Sequence, residues 1–130
     1  MAAIDTNVLV RIITRDHPEQ AAKARAFVEA QGDTGVYVPP MVLAETAWVL
    51  ERSYRWTPAD ILQALRITAH CGSFRLDDTC HSAIELFKGV GAKGVGFADC
   101  LILQTAKDKH QAPLATFDLR LGTLAGAKVL

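Results

Sequence analysis

The chain has 130 residues, half of them hydrophobic, and its 14 Lys and Arg residues balance 14 Asp and Glu residues. This length predicts a single domain, residues 1–130, that can bury its core without disulfides or a structural metal. A formal net charge of zero disfavours nucleic-acid binding through bulk electrostatics, so any such role needs locally placed charge.

Three cysteines, an odd number without paired spacing, argue against a disulfide framework. We expect them to be small buried hydrophobic residues rather than metal ligands. They are Cys71, Cys80 and Cys100. No apolar run reaches the ~20 residues of a membrane span, and no signal peptide is recognised before the first predicted strand. The sequence therefore predicts a cytoplasmic protein with no membrane partner.

The N-terminal residues predict a short buried strand that passes directly into a helix. Residues 2–4 are small or apolar, and apolar residues at helical spacing begin at Val8. Asp5 then lies at the C-terminal end of a strand, where open α/β sheets build their sites. The alternative is that Asp5 serves only as the N-cap of the helix. Thr6 and Asn7 suit the turn, because their side chains hydrogen-bond nearby backbone groups.

Helices and short strands alternate along the rest of the chain, with proline and glycine at many boundaries. The predicted helices are 8–14, 19–31, 41–55, 58–70, a helix capped by residue 78 or 79 that ends at 88, and 97–110. The further predicted strands are 35–38, 73–76 and 113–116, and residues 127–130 are a candidate for a fifth strand. The glycine-rich stretch 89–96 matches no phosphate-binding pattern and is interpreted as a loop. This order predicts a three-layer α/β/α domain with a mostly parallel sheet of four or five strands.

Two acidic residues, Glu45 and Asp99, lie on helix faces that are otherwise apolar. The apolar residues three or four positions from them are Met41, Val42, Trp48, Val49, Val95, Ile102 and Leu103. Side chains at these spacings share one face of a helix, so both acids are expected on core-facing stripes. A lone buried carboxylate must be paired, protonated or bound to metal. The alternatives are a basic partner from elsewhere in the chain, or a helix face that is half exposed.

A fourth acid, Asp118, follows the predicted strand 113–116, so a parallel sheet could bring all four acids to one edge. Two like charges ~4 Å apart repel by about 4 kcal/mol at an effective dielectric constant of 20. Four carboxylates therefore need a divalent cation, and oxygen ligands without His or Cys favour Mg²⁺ or Mn²⁺ over Zn²⁺. Such a centre is suited to phosphodiester hydrolysis by an activated water.

Basic residues near these acids in the sequence are candidates for holding substrate phosphates. They are Arg11, Arg15, Lys93 and Arg120. The alternative for each of them is an ordinary solvated charge. The four histidines have no spacing typical of metal ligands and are expected at the surface.

Four motifs in this order carry a resemblance to a known family: residues 3–9 (AIDTNVL), Glu45 in the helix after Val38-Pro39, residues 97–102 (FADCLI) and residues 116–118 (TFD). Together they resemble the PIN-domain ribonucleases. More narrowly, the chain is similar to the VapC-type toxins of bacterial and archaeal type II toxin–antitoxin pairs. The resemblance covers essentially the whole chain.

The resemblance implies an endoribonuclease that depends on Mg²⁺ or Mn²⁺ and cleaves an RNA substrate. Asp5 and Asp99 would be its metal ligands, and Glu45 and Asp118 would complete the acidic centre. Three further residues would orient ligands or waters there: Thr6, Asn7 and Thr116. The resemblance also implies a homodimer, and inhibition by a small cognate antitoxin protein that inserts a segment beside the acidic pocket.

Two departures from the family pattern weaken the case for a second metal and leave open whether the centre holds one ion or two. Many relatives carry another acid where this chain has Gly96, or just after the final acid, where it has residues 119–121 (LRL). One alternative is a receiver-like phospho-acceptor signalling domain, but the chain lacks an acid beside Asp5 and a Lys after Asp118. The other is a catalytically inactive PIN-like binding module, which the complete set of acids disfavours.

Overall fold

Six helices alternate with five short strands in a computed structural model that describes all 130 residues. The strands are β1 (Ala2–Ala3), β2 (Val36–Tyr37), β3 (Phe74–Arg75), β4 (Leu114–Thr116) and β5 (Ala127–Val129). The helices are α1 (Thr6–Thr14), α2 (Pro18–Ala30), α3 (Pro40–Arg52), α4 (Pro58–His70), α5 (Asp78–Val90) and α6 (Phe97–Asp108). The predicted α/β class and three-layer α/β/α arrangement are confirmed.

All strand pairs are parallel, and they form two hydrogen-bonded ladders. The first has the order β1-β2-β3, and the second pairs β4 with β5. Single backbone hydrogen bonds extend each ladder, from Ile4 N to Tyr37 O at 3.2 Å and from Leu130 N to Thr116 O at 2.9 Å. The predicted number and direction of strands are therefore confirmed, and the hydrogen bonds divide them into a set of three and a set of two.

Proline and capping side chains explain where several helices begin. Three helices carry a proline in their first turn, where its missing N–H removes no helical hydrogen bond. These prolines are Pro18, Pro40 and Pro58. The side chains of His17 and Thr57 accept hydrogen bonds from backbone N–H groups three residues further on, each at 3.2 Å. Local chemistry therefore sets the start of these helices.

Most boundaries differ from the sequence prediction by one to three residues, and α6 for example ends at Asp108 instead of residue 110. α1 begins at Thr6, earlier than predicted, because Asp5 caps it. α3 ends at Arg52 instead of residue 55, since Arg55 has a left-handed φ of +60° that cannot continue a helix. Gly89 lies inside the last turn of α5 and not in a loop. The loop is therefore shorter than predicted and consists mainly of a 3₁₀ turn at Gly91–Lys93.

One hydrophobic core joins the helices to the first ladder. α3 is central: it contacts α1 on one side, α6 on another, and α4 as well, while α5 packs on α6. Cys80 and Cys100 are buried in this core as predicted, whereas Cys71 is half-buried at the end of α4. None of the helices has both the length and the apolar character needed to cross a membrane. The core thus holds together the three helices that carry or follow the predicted site residues.

Candidate active site

Asp5 is an exposed residue that caps α1. Its Oδ1 accepts a hydrogen bond from the backbone N–H of Val8 at 3.1 Å. The N-cap interpretation from the sequence is therefore correct, but it accounts for only one carboxylate oxygen. Because the capping bond orients the side chain, the second oxygen is held in place with no hydrogen-bond partner in the protein.

Thr6 connects the start of α1 to the middle of α3. Its hydroxyl donates a short hydrogen bond to Oε1 of Glu45, across 39 residues of sequence. Oε2 of Glu45 has no hydrogen-bond partner. Since Thr6 follows Asp5 directly, this bond brings two of the four predicted acids to adjoining elements.

Glu45 is exposed, and the prediction that it lies on a core-facing stripe is wrong. The buried stripe of α3 consists of Val42, Leu43, Thr46, Ala47 and Leu50. Two of the apolar residues that suggested a buried face, Met41 and Trp48, are themselves 77% and 53% exposed. Glu45 shares their face, and its carboxylate is open to solvent.

Asp99 lies half-buried in the first turn of α6 and accepts no hydrogen bond from the protein. Burial raises the pKa of its carboxyl, and the negative charge of Asp118 raises that pKa further. The two acids are therefore close enough to repel each other. The charged form of the Asp99 carboxyl is therefore unfavourable in this environment. Binding of a proton or of a cation would remove the penalty.

Asp118 is held by the turn that follows β4. Its Oδ1 accepts hydrogen bonds from the backbone N–H groups of Arg120 at 2.8 Å and Leu121 at 2.9 Å. The hydroxyl of Thr116 accepts a bond from the backbone N–H of Asp118 at 2.9 Å, so Thr116 positions this acid. In Asp5, Glu45 and Asp118 alike, the protein holds one carboxylate oxygen and leaves the other free.

The chemistry of these acids fits an oxygen-coordinated divalent cation, because no Lys or Arg side chain neutralises any of them. The two ion pairs of the chain lie elsewhere: Arg11–Asp16 and Glu19–Lys23. No three His, Cys, Asp or Glu side chains stand close enough together to form a complete metal site. The assignment of Asp5 and Asp99 as metal ligands stays a prediction.

The other sequence candidates are placed differently. Asn7 is exposed beside Asp5 and makes no side-chain hydrogen bond. Arg11 is engaged by Asp16 and by two further side chains, while Arg15 lines a separate groove between α1 and α4. Arg120 packs against Gly94, where an added Cβ would lie 2.5 Å from its Nη1. Of the basic candidates, Lys93 lies in the loop that precedes α6, where it is exposed, and Arg120 packs beside that loop.

Cysteine and histidine chemistry is not part of this site. Burial raises the pKa of Cys80 to about 11 and that of Cys100 to about 12, so both remain protonated and unreactive at neutral pH. The four histidines are exposed, as predicted. The acids are therefore the reactive groups that the structure offers here.

Sequence reasoning missed a cavity of about 470 Å³ next to Asp99. We call it the tryptophan cavity, and its walls include Trp48, Glu51, Trp56, Gly94, Gly96 and Asp99. One sequence feature could have indicated it: Trp48 lies three residues after Glu45, on the same face of α3. The contribution of Trp56, which comes from the segment after α3, needed the tertiary structure.

Comparison with known proteins gives one match. A family model described as the PIN domain matches residues 2–127, from β1 to the first residue of β5. The match spans all four predicted acids. No curated protein and no solved structure matches the chain.

Proposed function

Because the chain belongs to the PIN-domain family, we propose that it is a metal-dependent endoribonuclease and the toxin of a type II toxin–antitoxin pair. PIN domains are generally nucleases that hydrolyse phosphodiester bonds, typically with divalent metals. This family assignment excludes the receiver-like alternative. RNA as the substrate and the toxin role are parts of the proposal that come from the resemblance of the motifs. A cytoplasmic location is also proposed, and it comes from the odd number of cysteines without paired spacing.

One observation carries the proposal beyond the family assignment. The half-buried carboxylate of Asp99 has its pKa raised by burial and by Asp118, and no basic side chain compensates it. An acid that served only the fold would be expected to have a basic or hydrogen-bonding partner. A group left in this state is typical of a functional site.

In the proposed enzyme, Asp5 and Asp99 hold one Mg²⁺ or Mn²⁺ ion, and Glu45 and Asp118 complete the acidic centre. When bound, such an ion lowers the pKa of a water and stabilises the negative charge on the phosphate. The hydroxyl of Thr6 orients Glu45, and the backbone N–H groups of Arg120 and Leu121 orient Asp118. They do so before substrate arrives, so little reorganisation is needed during the reaction.

A protein partner is part of the proposal as well. The two residues that flank Asp118, Phe117 and Leu119, are 81% and 73% exposed. Large apolar side chains in solvent next to an acidic centre suit contact with another protein. We assign this surface to the small cognate antitoxin, whose segment would lie beside the acids, and we expect the toxin itself to be a homodimer.

The first prediction concerns RNA cleavage by the purified protein. With Mn²⁺ or Mg²⁺ it should cut unstructured RNA internally, and EDTA should abolish cutting. Asp5→Asn and Asp99→Asn should each lower the rate by roughly 100-fold, because loss of a carboxylate ligand weakens metal binding. Asn is also a good N-cap, so Asp5→Asn should keep α1 intact.

Glu29→Gln is the matched control for these variants. Glu29 is an exposed acid on α2 without an ion pair or a side-chain hydrogen bond, so its loss should leave the rate unchanged. Intact RNA after incubation of the wild-type chain with Mn²⁺ would contradict the proposal and favour an inactive binding module. Cleavage that persists in both Asn variants would show that other residues carry the activity.

A further inference from the structure

We propose that the tryptophan cavity binds one unpaired base of the RNA, with a preference for guanine, and so sets the position of the cut. This inference rests on the proposed ribonuclease function. The cavity has a volume of about 470 Å³, enough for a purine ring, and Asp99 is part of its wall. A base held there therefore lies beside one of the predicted catalytic carboxylates.

Aromatic surface is the first feature that suits a base. Trp48 and Trp56 are the only tryptophans in the sequence, and both face this cavity. Trp48 is 53% exposed although it is large and apolar. Below them, the buried rings of Phe87 and Phe97 make an edge-on pair with centroids 5.9 Å apart. Proteins that bind single-stranded RNA stack unpaired bases on side chains of this kind.

Positive charge next to the aromatic surface is the second feature. The guanidinium of Arg52 lies 5.2 Å from the ring centre of Trp48, and that of Arg120 packs against Gly94 on the cavity wall. Neither arginine is in an ion pair. The positive charge of both guanidinium groups is therefore unpaired at the cavity, where phosphates on either side of a bound base would lie. The two arginines thus supply positive charge locally, although the formal net charge of the whole chain is zero.

Glu51 makes the cavity selective between bases. It lies three residues after Trp48, and its carboxylate has no hydrogen-bond or ion-pair partner in the protein. A carboxylate accepts two hydrogen bonds side by side. Guanine presents two adjacent donors, its N1–H and its 2-amino group, whereas adenine, cytosine and uracil each present only one donor group on that edge. The chemistry therefore favours guanine.

The cavity also has the right position relative to the acids. Glu45 precedes Trp48 by about one helical turn on the same face of α3. On the other wall, Gly96 has an ordinary φ of −71°, and an added Cβ there would meet no atom within 4 Å. A larger side chain at residue 96 would therefore occupy open space beside Asp99 without disturbing the fold. This makes Gly96 a suitable point at which to block the cavity.

The experiment is a fluorescence titration of the full chain in EDTA, which keeps the RNA intact. Because both tryptophans line the cavity, a stacked base should quench most of the intrinsic emission. The probes are the pentanucleotides UUGUU, UUAUU and UUUUU. We expect UUGUU to bind at least tenfold more tightly than UUUUU, with UUAUU between them.

Three variants test the assignment, and circular dichroism checks their folding. Trp48→Ala and Gly96→Val should each weaken UUGUU binding roughly tenfold or more, the range that loss of one stacked base predicts. Glu51→Gln should retain binding but reduce the difference between UUGUU and UUAUU. Ile67→Ala removes another exposed apolar side chain from the groove between α1 and α4, which shares only Trp56 with the cavity, and should leave the affinity for every probe unchanged.

The outcomes separate this inference from the proposed function. Equal affinity for the three probes, or folded Trp48→Ala and Gly96→Val variants with unchanged affinity, would overturn the cavity assignment even if Mn²⁺-dependent cleavage is observed. Guanine-dependent quenching without any cleavage would support the cavity while the ribonuclease proposal fails. If Trp48→Ala converts a dimer to a monomer on gel filtration and RNA never quenches the emission, a second copy of the chain covers the cavity and the inference is wrong.

Discussion

Asp99 and Asp108 lie near opposite ends of α6, and their environments act on them in opposite directions. Burial, followed by the charge of Asp118, raises the pKa of Asp99. Hydrogen bonds donated by Thr79 and Gln104 lower the pKa of Asp108. The ionised form of Asp99 therefore opposes folding, while the ionised form of Asp108 favours it.

Because the two pKa shifts have opposite signs, replacing each aspartate with asparagine should change Tm in opposite directions. Without metal at pH 7, Asp99→Asn should raise Tm by roughly 1–3 °C after allowance for solvent screening, and Asp108→Asn should lower it. The benefit from Asp108 is complete above the unfolded pKa near ~3.9 and is lost as pH falls through the folded value. The penalty from Asp99 appears as pH rises through its raised folded pKa.

Thermal unfolding followed by circular dichroism in EDTA at pH 7 and pH 3 measures both effects. At pH 3 Asp99→Asn should approach the wild-type Tm, because Asp99 is then largely protonated in both the folded and the unfolded chain. The deficit of Asp108→Asn should be smaller than at pH 7, since the benefit from ionised Asp108 falls as pH drops through its lowered folded pKa. A lower Tm for Asp99→Asn at pH 7 would mean that Asp99 contributes to the fold, contrary to its assignment as a functional acid.

For single residues, the sequence predicts the contacts that form between near neighbours in the chain. The capping role of Asp5 depends on residues three positions away, and the sequence allowed for it. The hydrogen bond from Thr6 to Glu45 joins residues 39 positions apart, so no local pattern predicts it. The prediction that Glu45 faces the core is wrong for the same reason. Which face of α3 is buried depends on where α3 lies relative to its neighbouring helices, and the sequence does not show this.

Among the elements, the end of α1 is tied to the segment after α3 through Asp16. Its Oδ2 accepts a hydrogen bond from the hydroxyl of Tyr54 at 2.5 Å, and its Oδ1 accepts bonds from Thr14 at 2.8 Å and Arg11 at 3.2 Å. The Tyr54 bond is the largest cause of the lowered pKa of Asp16, followed by the Thr14 bond. Arg11 therefore has a structural role here instead of the predicted role of holding phosphate.

Tyr54→Phe should loosen this connection. We expect Tm to fall by roughly 2 °C at pH 7, since the bond that the hydroxyl donates to Asp16 and the bond that it accepts from Arg11 are both lost. The lowered pKa means that the contribution is complete above the unfolded pKa of ~3.9 and disappears as pH falls through the folded value. The difference between wild type and variant should therefore shrink at pH 2.5.

A surface ion pair provides the control for Tyr54→Phe. Glu19 and Lys23 are 3.5 Å apart on α2 and both are 76% exposed, so Glu19→Gln should leave Tm nearly unchanged. If Tyr54→Phe behaves like Glu19→Gln at pH 7, the contact does not connect the two segments in solution.

Helices were easier to predict than strands for a physical reason. Prolines in the first turn and apolar residues at helical spacing mark helices of nine to thirteen residues. The strands have only two or three residues each, too few for an alternating pattern to appear. Their pairing depends on where the helices pack, so the sequence predicts parallel strands but not the division into two ladders.

On the scale of the whole molecule, the predicted site draws on elements far apart in the chain. Asp5 precedes α1, Glu45 is in α3, Asp99 is in α6, and Asp118 follows β4. In the unfolded chain these carboxylates are scattered and bind a cation only weakly. A cation held by the folded protein would therefore stabilise the fold as a whole.

This linkage predicts that Mn²⁺ raises Tm. At a free cation concentration of 100 times Kd, the free energy of unfolding should increase by about 2.7 kcal/mol, which corresponds to roughly 10 °C for a chain of this length. The measurement is a series of thermal scans at increasing Mn²⁺ concentration, with Ca²⁺ and EDTA as references. No change in Tm up to millimolar Mn²⁺ would contradict the predicted metal centre.

Three variants make this test specific, because the metal-free Tm and the response to Mn²⁺ need not change together. Asp5→Asn keeps the helix cap, so its metal-free Tm should match the wild type while the Mn²⁺ response is lost. Asp99→Asn should start from a higher metal-free Tm and also lose the response. Asp108→Asn should have a lower metal-free Tm than the wild type but show the full rise in Tm with Mn²⁺. Only a cation bound by Asp5 and Asp99 predicts all three results, whereas general screening of acidic charge would leave a similar response in every variant.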